Sequence, residues 1–231
     1  MENEYFCMRL AARLKLPVPR VEMRLGATAF LLVERYDRTK TVDGKIERLH
    51  QEDFCQALSV PPELKHEAEG GPGTKRSLAL IDQACARPVA DRLRFIRMLI
   101  FHYLVGNADA HGKNYALLYG SDTPDLAPIY DAVCTTVYPR LSKRLAMKIG
   151  GRDVPDTIQL KHWTTIVPDT KAAQRILVRE LAQMAEGIVH EADALVGELA
   201  DEGIKHPILS AIRKVISSRA GSVQRVTEQV S

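Results

Sequence analysis

Apolar residues along the chain change period several times, and each change predicts an element. From Glu2 to about Lys15, Tyr5, Phe6, Met8, Leu10, Ala11 and Leu14 recur every three or four positions, which predicts an amphipathic helix that Pro17 and Pro19 then end. Val18 to Leu25 and Thr28 to Tyr36 are β-prone runs around Gly26-Ala27, so a hairpin is expected, and Ile46 to Leu49 adds a strand after Asp43-Gly44. A short helix from Glu52 to Leu58 should stop at Pro61-Pro62, and "EAEGGPGTKRS" should form a turn. Helical spacing returns over Ser77 to Ala86 and Asp91 to Leu104. Beyond these, Tyr115 to Tyr119 predicts a strand, "SDTPD" at 121–125 a turn, and Pro128 to Tyr130 and Arg144 to Ile149 further extended pieces. Residues 171–200 and 206–218 predict two helices separated by Gly203 and Pro207, with the last dozen residues polar enough to fray.

At 231 residues and 45% hydrophobic content the chain can bury one substantial core and is too apolar to be disordered. Its 32 basic and 29 acidic residues leave a net charge of +3, which argues for neither a nucleic-acid nor a membrane surface as partner. The N-terminus lacks the order of a signal peptide and no run reaches the roughly 18 apolar residues of a membrane span, so a cytoplasmic protein is expected. Cys7, Cys55, Cys85 and Cys134 are widely spaced, which predicts reduced, mostly buried thiols rather than a disulfide framework or a zinc ribbon.

Chemistry concentrates in "LVGNADAHGKNYALLYG", residues 104–120, where one acid, an imidazole, an ammonium and two amides fall within eight positions. Asp109 and Asn114 are spaced D-x-x-x-x-N between a helix and a strand, the layout of a protein-kinase catalytic loop. A carboxylate can accept the proton of an attacking hydroxyl, and an amide oxygen can ligate Mg²⁺ without adding charge beside phosphate. Asp131 in "IYDAV", seventeen positions after Asn114, is the candidate second metal ligand, although Tyr130 and Ala132 replace the flanks of an ordinary D-F-G. Lys113 is placed to neutralise a transferring phosphate and His111 to brace the loop. A solvated turn would show the same polar density; the flanking elements and Asp131 favour the catalytic reading.

"GNADAHGKNYALL" resembles the D-x-H-x-K-N loop of the HipA family, serine/threonine kinase toxins of bacterial toxin–antitoxin modules. "ENEYFCMRLAARLKLPVP", "LLVERYDR", "LHQEDFCQALSVP", "KHEAEGGPG" and "LAPIYDAV" follow in the family's order, so the resemblance covers roughly residues 2–150. It implies an α+β, mainly α, protein-kinase-like fold: mostly the helical C-terminal lobe, residues 38–231, after a remnant of the N-terminal lobe with the hinge at 1–37. It implies ATP and Mg²⁺ as cofactors, Asp109 as catalytic base with His111 and Lys113 beside it, Asn114 and Asp131 as metal ligands, Glu34 and Tyr36 against adenine, and Asp37 at the ribose. An extended strand ending in a polar turn can indeed offer backbone groups to a purine edge, although a merely solvated strand end reads the same way. The implied partners are a protein substrate such as glutamate–tRNA ligase or another translation component, and a HipB-like helix-turn-helix antitoxin. Operator DNA would be reached only through that partner, and no membrane is involved.

A kinase also needs a glycine-rich cover over the phosphates and a strand lysine. "GGPGTKRS" does not have P-loop spacing and is read as a structural turn. Met1 stands directly before the helix that in the family follows both features, so the chain is expected to be truncated and weakly active or inactive alone, unless a separate chain supplies the missing lobe. Glu4 is the candidate partner of that lysine. The alternatives are a small-molecule phosphotransferase of aminoglycoside-kinase type, which shares the loop, and a non-catalytic pseudokinase that serves as a binding module.

Overall fold

The computed structural model describes residues 1–120 and 122–228. Its first helix, α1 (Glu2–Arg13), buries Phe6, Cys7, Leu10 and Ala11 completely, as the apolar spacing requires. Two antiparallel hairpins follow. β1 (Val21–Arg24) pairs with β2 (Phe30–Val33) in the register Val21 to Val33. β3 (Arg38–Lys40) pairs with β4 (Ile46–Arg48) around Gly44, whose φ of 83° suits a residue without a side chain. β3 was not foreseen, because "RTK" lies wholly exposed and carries no apolar alternation.

A small sheet has the order β5–β6–β7, formed by His50–Asp53, Ala116–Tyr119 and Asp125–Leu126, antiparallel throughout. The short helix α2 therefore begins later than its sequence suggests, at Phe54–Ala57, because Glu52 and Asp53 are committed to the ladder. Asp53 then caps the helix: its carboxylate accepts the Gln56 N–H at 2.9 Å and the Gln56 side chain accepts the Asp53 N–H at 2.9 Å. Of the remaining extended pieces, 128–130 forms no strand and 144–149 contributes only a bridge from Ile149 to Arg152. The turn expected at 121–125 includes Ser121, outside the described residues, and ends in β7.

The rest is helical: α3 (Thr74–Ala84), α4 (Pro88–Val105), the short α5 (Leu160–Thr164), α6 (Lys171–Asp201) and α7 (Pro207–Glu228). α6 starts at Thr170, whose hydroxyl accepts the Ala173 N–H at 3.2 Å. α6 and α7 fold back on each other and close over α1 and α4, so that Leu181, Leu195, Ile212 and Ile216 pack with Phe101, Ile100 and Leu104 in one core. The fraying expected at the C-terminus does not occur through Glu228, since Val223 and Thr227 are buried on the core face; residues 229–231 lie outside the described set. All four cysteines are free and buried.

Candidate active site around the loop from Gly106 to Tyr115

α4 delivers the chain to this loop and stops sharply. Gly106, at the C-terminal end of α4, has φ 75°, and a Cβ there would lie 2.3 Å from Thr136 Oγ1, so both conformation and space demand glycine. The next residues are pinned from inside. The Asn107 side chain accepts the Asp109 N–H at 3.1 Å and donates to His102 Nδ1 at 3.1 Å. Thr135 accepts the Ala108 N–H at 2.8 Å and donates to the Gly106 carbonyl at 3.3 Å, while the Ala108 carbonyl accepts the Ala146 N–H at 2.8 Å. His102 is fully buried and its pKa falls to about 4 through desolvation, so its ring is neutral and accepts from Asn107.

The structure brings Asn114 and Asp131 into direct contact: Asn114 Nδ2 donates to Asp131 Oδ2 at 2.8 Å, and Asn114 Oδ1 accepts the His111 N–H at 3.1 Å. Asp131 has φ 55°, a left-handed conformation costly for a branched or bulky residue and more accessible to Asp. The segment after it is clamped to α1. Asn3, 2% exposed, donates to the Cys134 carbonyl at 3.0 Å and accepts the Cys134 N–H at 2.8 Å. Glu4, one residue on, is pushed up from the ordinary glutamate value by burial and then by the charge of Asp131, so the two carboxyl groups feel each other. The Asp131 carboxylate is a hard donor of the kind magnesium takes; Asn114 presents Nδ2 to it, and its Oδ1, which accepts the His111 N–H, keeps a second lone pair for a cation.

On one side of the loop lies a cavity of about 280 Å³ lined by Glu34, Tyr36, Asp37, Gln51, Lys113 and Tyr130, among others. Tyr130 donates to the Lys113 carbonyl at 2.6 Å and stacks on Tyr36 with ring centroids 5.7 Å apart, making an aromatic wall. Burial pushes the Tyr36 phenol up to about 12. The Glu34 N–H donates to the Arg20 carbonyl at 2.8 Å, so that backbone group is already paired. Asp37 is buried, and its oxygens are engaged by Arg35 at 2.8 and 2.6 Å and by Arg38 at 2.7 Å. The Arg35 hydrogen bonds, foremost, hold its pKa down at about 2.

Asp109 sits on the opposite side, half exposed, at the edge of a second cavity of about 440 Å³ shared with Thr135, Leu141, Arg144 and Asp153. Its carboxylate meets His66 Nε2 at 3.0 Å, and His111 Nε2 lies 4.0 Å from its other oxygen. Of the three expected site groups, Asn114 and Asp131 touch, and Asp109 is tied to them through the His111 backbone while its carboxylate meets His66. The glycine-rich turn is structural. A Cβ at Gly71 would lie 2.3 Å from the Leu64 carbonyl oxygen, and Pro72 packs where a Cβ of Gly112 would go. His66, Asn3, Asn107 and Thr135 escape sequence reasoning. Two left a trace: Asn107 as one of the two amides in the polar cluster, and Asn3 as an amide on the same helical stripe as Phe6, Cys7 and Leu10.

A family model described as the HipA-like C-terminal domain matches residues 1–195. The chain belongs to that family. It is 39% identical to the Sinorhizobium fredii protein named "Putative kinase Y4mE" over 224 residues, 96% of this chain and 53% of that one. It is 30% identical to the serine/threonine-protein kinase toxin HipA of Shewanella oneidensis, over 80% of this chain and 46% of the relative. This HipA-like chain therefore spans about half the length of the curated relatives it matches. Among solved structures it superposes on Shewanella oneidensis MR-1 HipA, in a complex with HipB and operator DNA, with a TM-score of 0.80 and 25% identity over 99% of this chain and 55% of that one. The Helicobacter pylori proinflammatory kinase CtkA matches with a TM-score of 0.68 at 14% identity, covering 100% of this chain and 84% of its own, a likeness of fold alone. The fold is thus α+β, mainly α, and kinase-like.

Proposed function

We propose that this HipA-like chain carries the catalytic side of an ATP-dependent serine/threonine kinase that transfers the γ-phosphate to a protein hydroxyl, as the toxin half of a toxin–antitoxin pair. The observation that carries the reading is the 2.8 Å contact between Asn114 and Asp131 beside the cavity walled by Tyr36 and Tyr130. Asn114 Oδ1 and the Asp131 carboxylate would hold Mg²⁺, whose charge would offset that developing on the nucleotide phosphates. The purine would stack in the aromatic cavity against backbone at Glu34 to Tyr36. Asp37, bound to two guanidinium groups, would meet a ribose hydroxyl only with a carboxylate lone pair left over from those bonds.

Asp109 serves as the base. Its half-exposed carboxylate faces the second cavity, where an acceptor segment can enter, and the Asn107 side chain holds its N–H so that the residue keeps one orientation. A substrate hydroxyl hydrogen-bonded to it would pass its proton there as the phosphoryl group arrives. Lys113, on the nucleotide side, would balance phosphate charge.

Residues 1–37 would be the N-lobe portion with the hinge, and 38–231 the C-lobe. Phe30, Leu32 and Val33 are 40–49% exposed on a two-stranded ribbon, which supports a covering sheet, from the same or a separate chain, that brings the phosphate cover and lysine. Glu4, half-buried and close enough to feel the charge of Asp131, would be the acid that meets that lysine. The partner would be a small HipB-like DNA-binding antitoxin, and the substrate a translation component such as glutamate–tRNA ligase. Labelled γ-phosphate should pass from ATP to a protein acceptor when the covering lobe is present, and Asp109→Asn should reduce transfer at least 100-fold. Transfer to a small molecule instead, or a fully active Asp109→Asn, would reject the proposal.

A further inference from the structure

On the acceptor side of the loop, three side chains with metal-ligand chemistry stand closer together than a phosphate-transfer role requires. His66 Nε2 lies 3.0 Å from Asp109 Oδ1, His111 Nε2 lies 4.0 Å from Asp109 Oδ2, and one ligand atom from each residue falls within 4.8 Å of the others. We propose that His66, Asp109 and His111 form a site for a borderline transition cation, zinc in particular, distinct from the magnesium donors Asn114 and Asp131.

Four features carry this. The His66–Asp109 separation is near the roughly 3.3 Å edge of a tetrahedron with ligands at about 2.0–2.1 Å, and the longer ones, up to 4.8 Å, would shorten on a bound cation. Glu69 Oε2 sits 3.1 Å from His66 Nδ1, so His66 can donate there while a cation displaces the proton that Nε2 shares with Asp109, the carboxylate–histidine arrangement common behind zinc ligands. His111 is 7% exposed, and its Nδ1 is buried without a partner among the described residues. Its Nε2 is too far from Asp109 for a hydrogen bond, and the ring stands edge-on to His66 with centroids 5.3 Å apart, so both imidazoles border the same space beside the carboxylate. The 440 Å³ cavity leaves the fourth position open to water.

Two imidazoles select zinc or cobalt over magnesium. A cation there takes the lone pairs that Asp109 would offer a substrate hydroxyl, so the occupied loop is idle. That consequence rests on the kinase reading; the site itself does not.

The test is calorimetric titration of the chain with zinc, without nucleotide and in excess magnesium, together with the visible spectrum of the cobalt form. We expect one saturable site that magnesium does not displace, and a cobalt spectrum free of thiolate charge transfer. His66→Gln should weaken it at least tenfold and Glu69→Gln about 10–100-fold, with thermal melts showing both variants folded, while Asp131→Asn leaves it intact. No saturable binding, unchanged affinity in folded His66→Gln, thiolate bands, or loss in Asp131→Asn would overturn the proposal. Failure in any of these ways leaves the transfer reading standing, because no arm measures transfer.

Discussion

The loop from Gly106 to Tyr115 is fastened to the core by Thr135, Asn107, His102 and Ala146, whereas the ribbon of β1 and β2, which feeds the same nucleotide-side cavity, holds its register through its own ladder and leaves Phe30, Leu32 and Val33 in water. The contrast is one of support. Groups proposed for bond-making ride on buried helix ends and are fixed before any ligand arrives. Groups proposed for the adenine follow a two-stranded ribbon that packs on the core through Val21, Met23 and Leu31 and leaves its other side open.

Truncations should separate the two regions most widely. Phe101→Ala, in α4 beneath the loop, removes a fully buried ring and should cost about 3–5 kcal/mol in urea unfolding, whereas Phe30→Ala should change stability by about 0.5 kcal/mol or less. Equal losses would mean that ribbon and core share one cooperative packing.

The next effect is pH-dependent. His102 has a folded pKa of about 4 against roughly 6.5 unfolded, so below 6.5 the unfolded chain binds a proton that the folded chain refuses. Stability is fully present above 6.5 and falls as pH drops toward 4, by roughly 2 kcal/mol between pH 7 and 5. Denaturation of wild type and His102→Phe across that range should show the slope in the first and a flatter line in the second. Of similar size, Gly106→Ala should cost roughly 1–3 kcal/mol, since alanine resists φ 75° and its Cβ meets Thr136; a neutral substitution would show that the loop can re-seat.

Much of this division is legible in the sequence. The stripe Ile96, Leu99, Ile100 and Tyr103 foretells α4, and the switch to polar residues at Gly106 marks where it ends. The spacing of Asp109, Asn114 and Asp131 identifies candidates, but not that Asn114 and Asp131 touch while Asp109 turns toward His66, because orientation is set by contacts distant in sequence. Asn3 clamps Cys134 across 131 positions and has no local signature, and β3 lacks any apolar alternation. The start of α2 is shifted by ladder pairing with β6, again a non-local competitor to helical spacing.

The central claim is that Asn114 and Asp131 together hold the cation of a bound nucleotide. Calorimetric titration of ATP with magnesium into wild type and Asp131→Ala tests it most directly. The account predicts magnesium-dependent binding in wild type that weakens at least tenfold in the variant, and superimposable curves would contradict it.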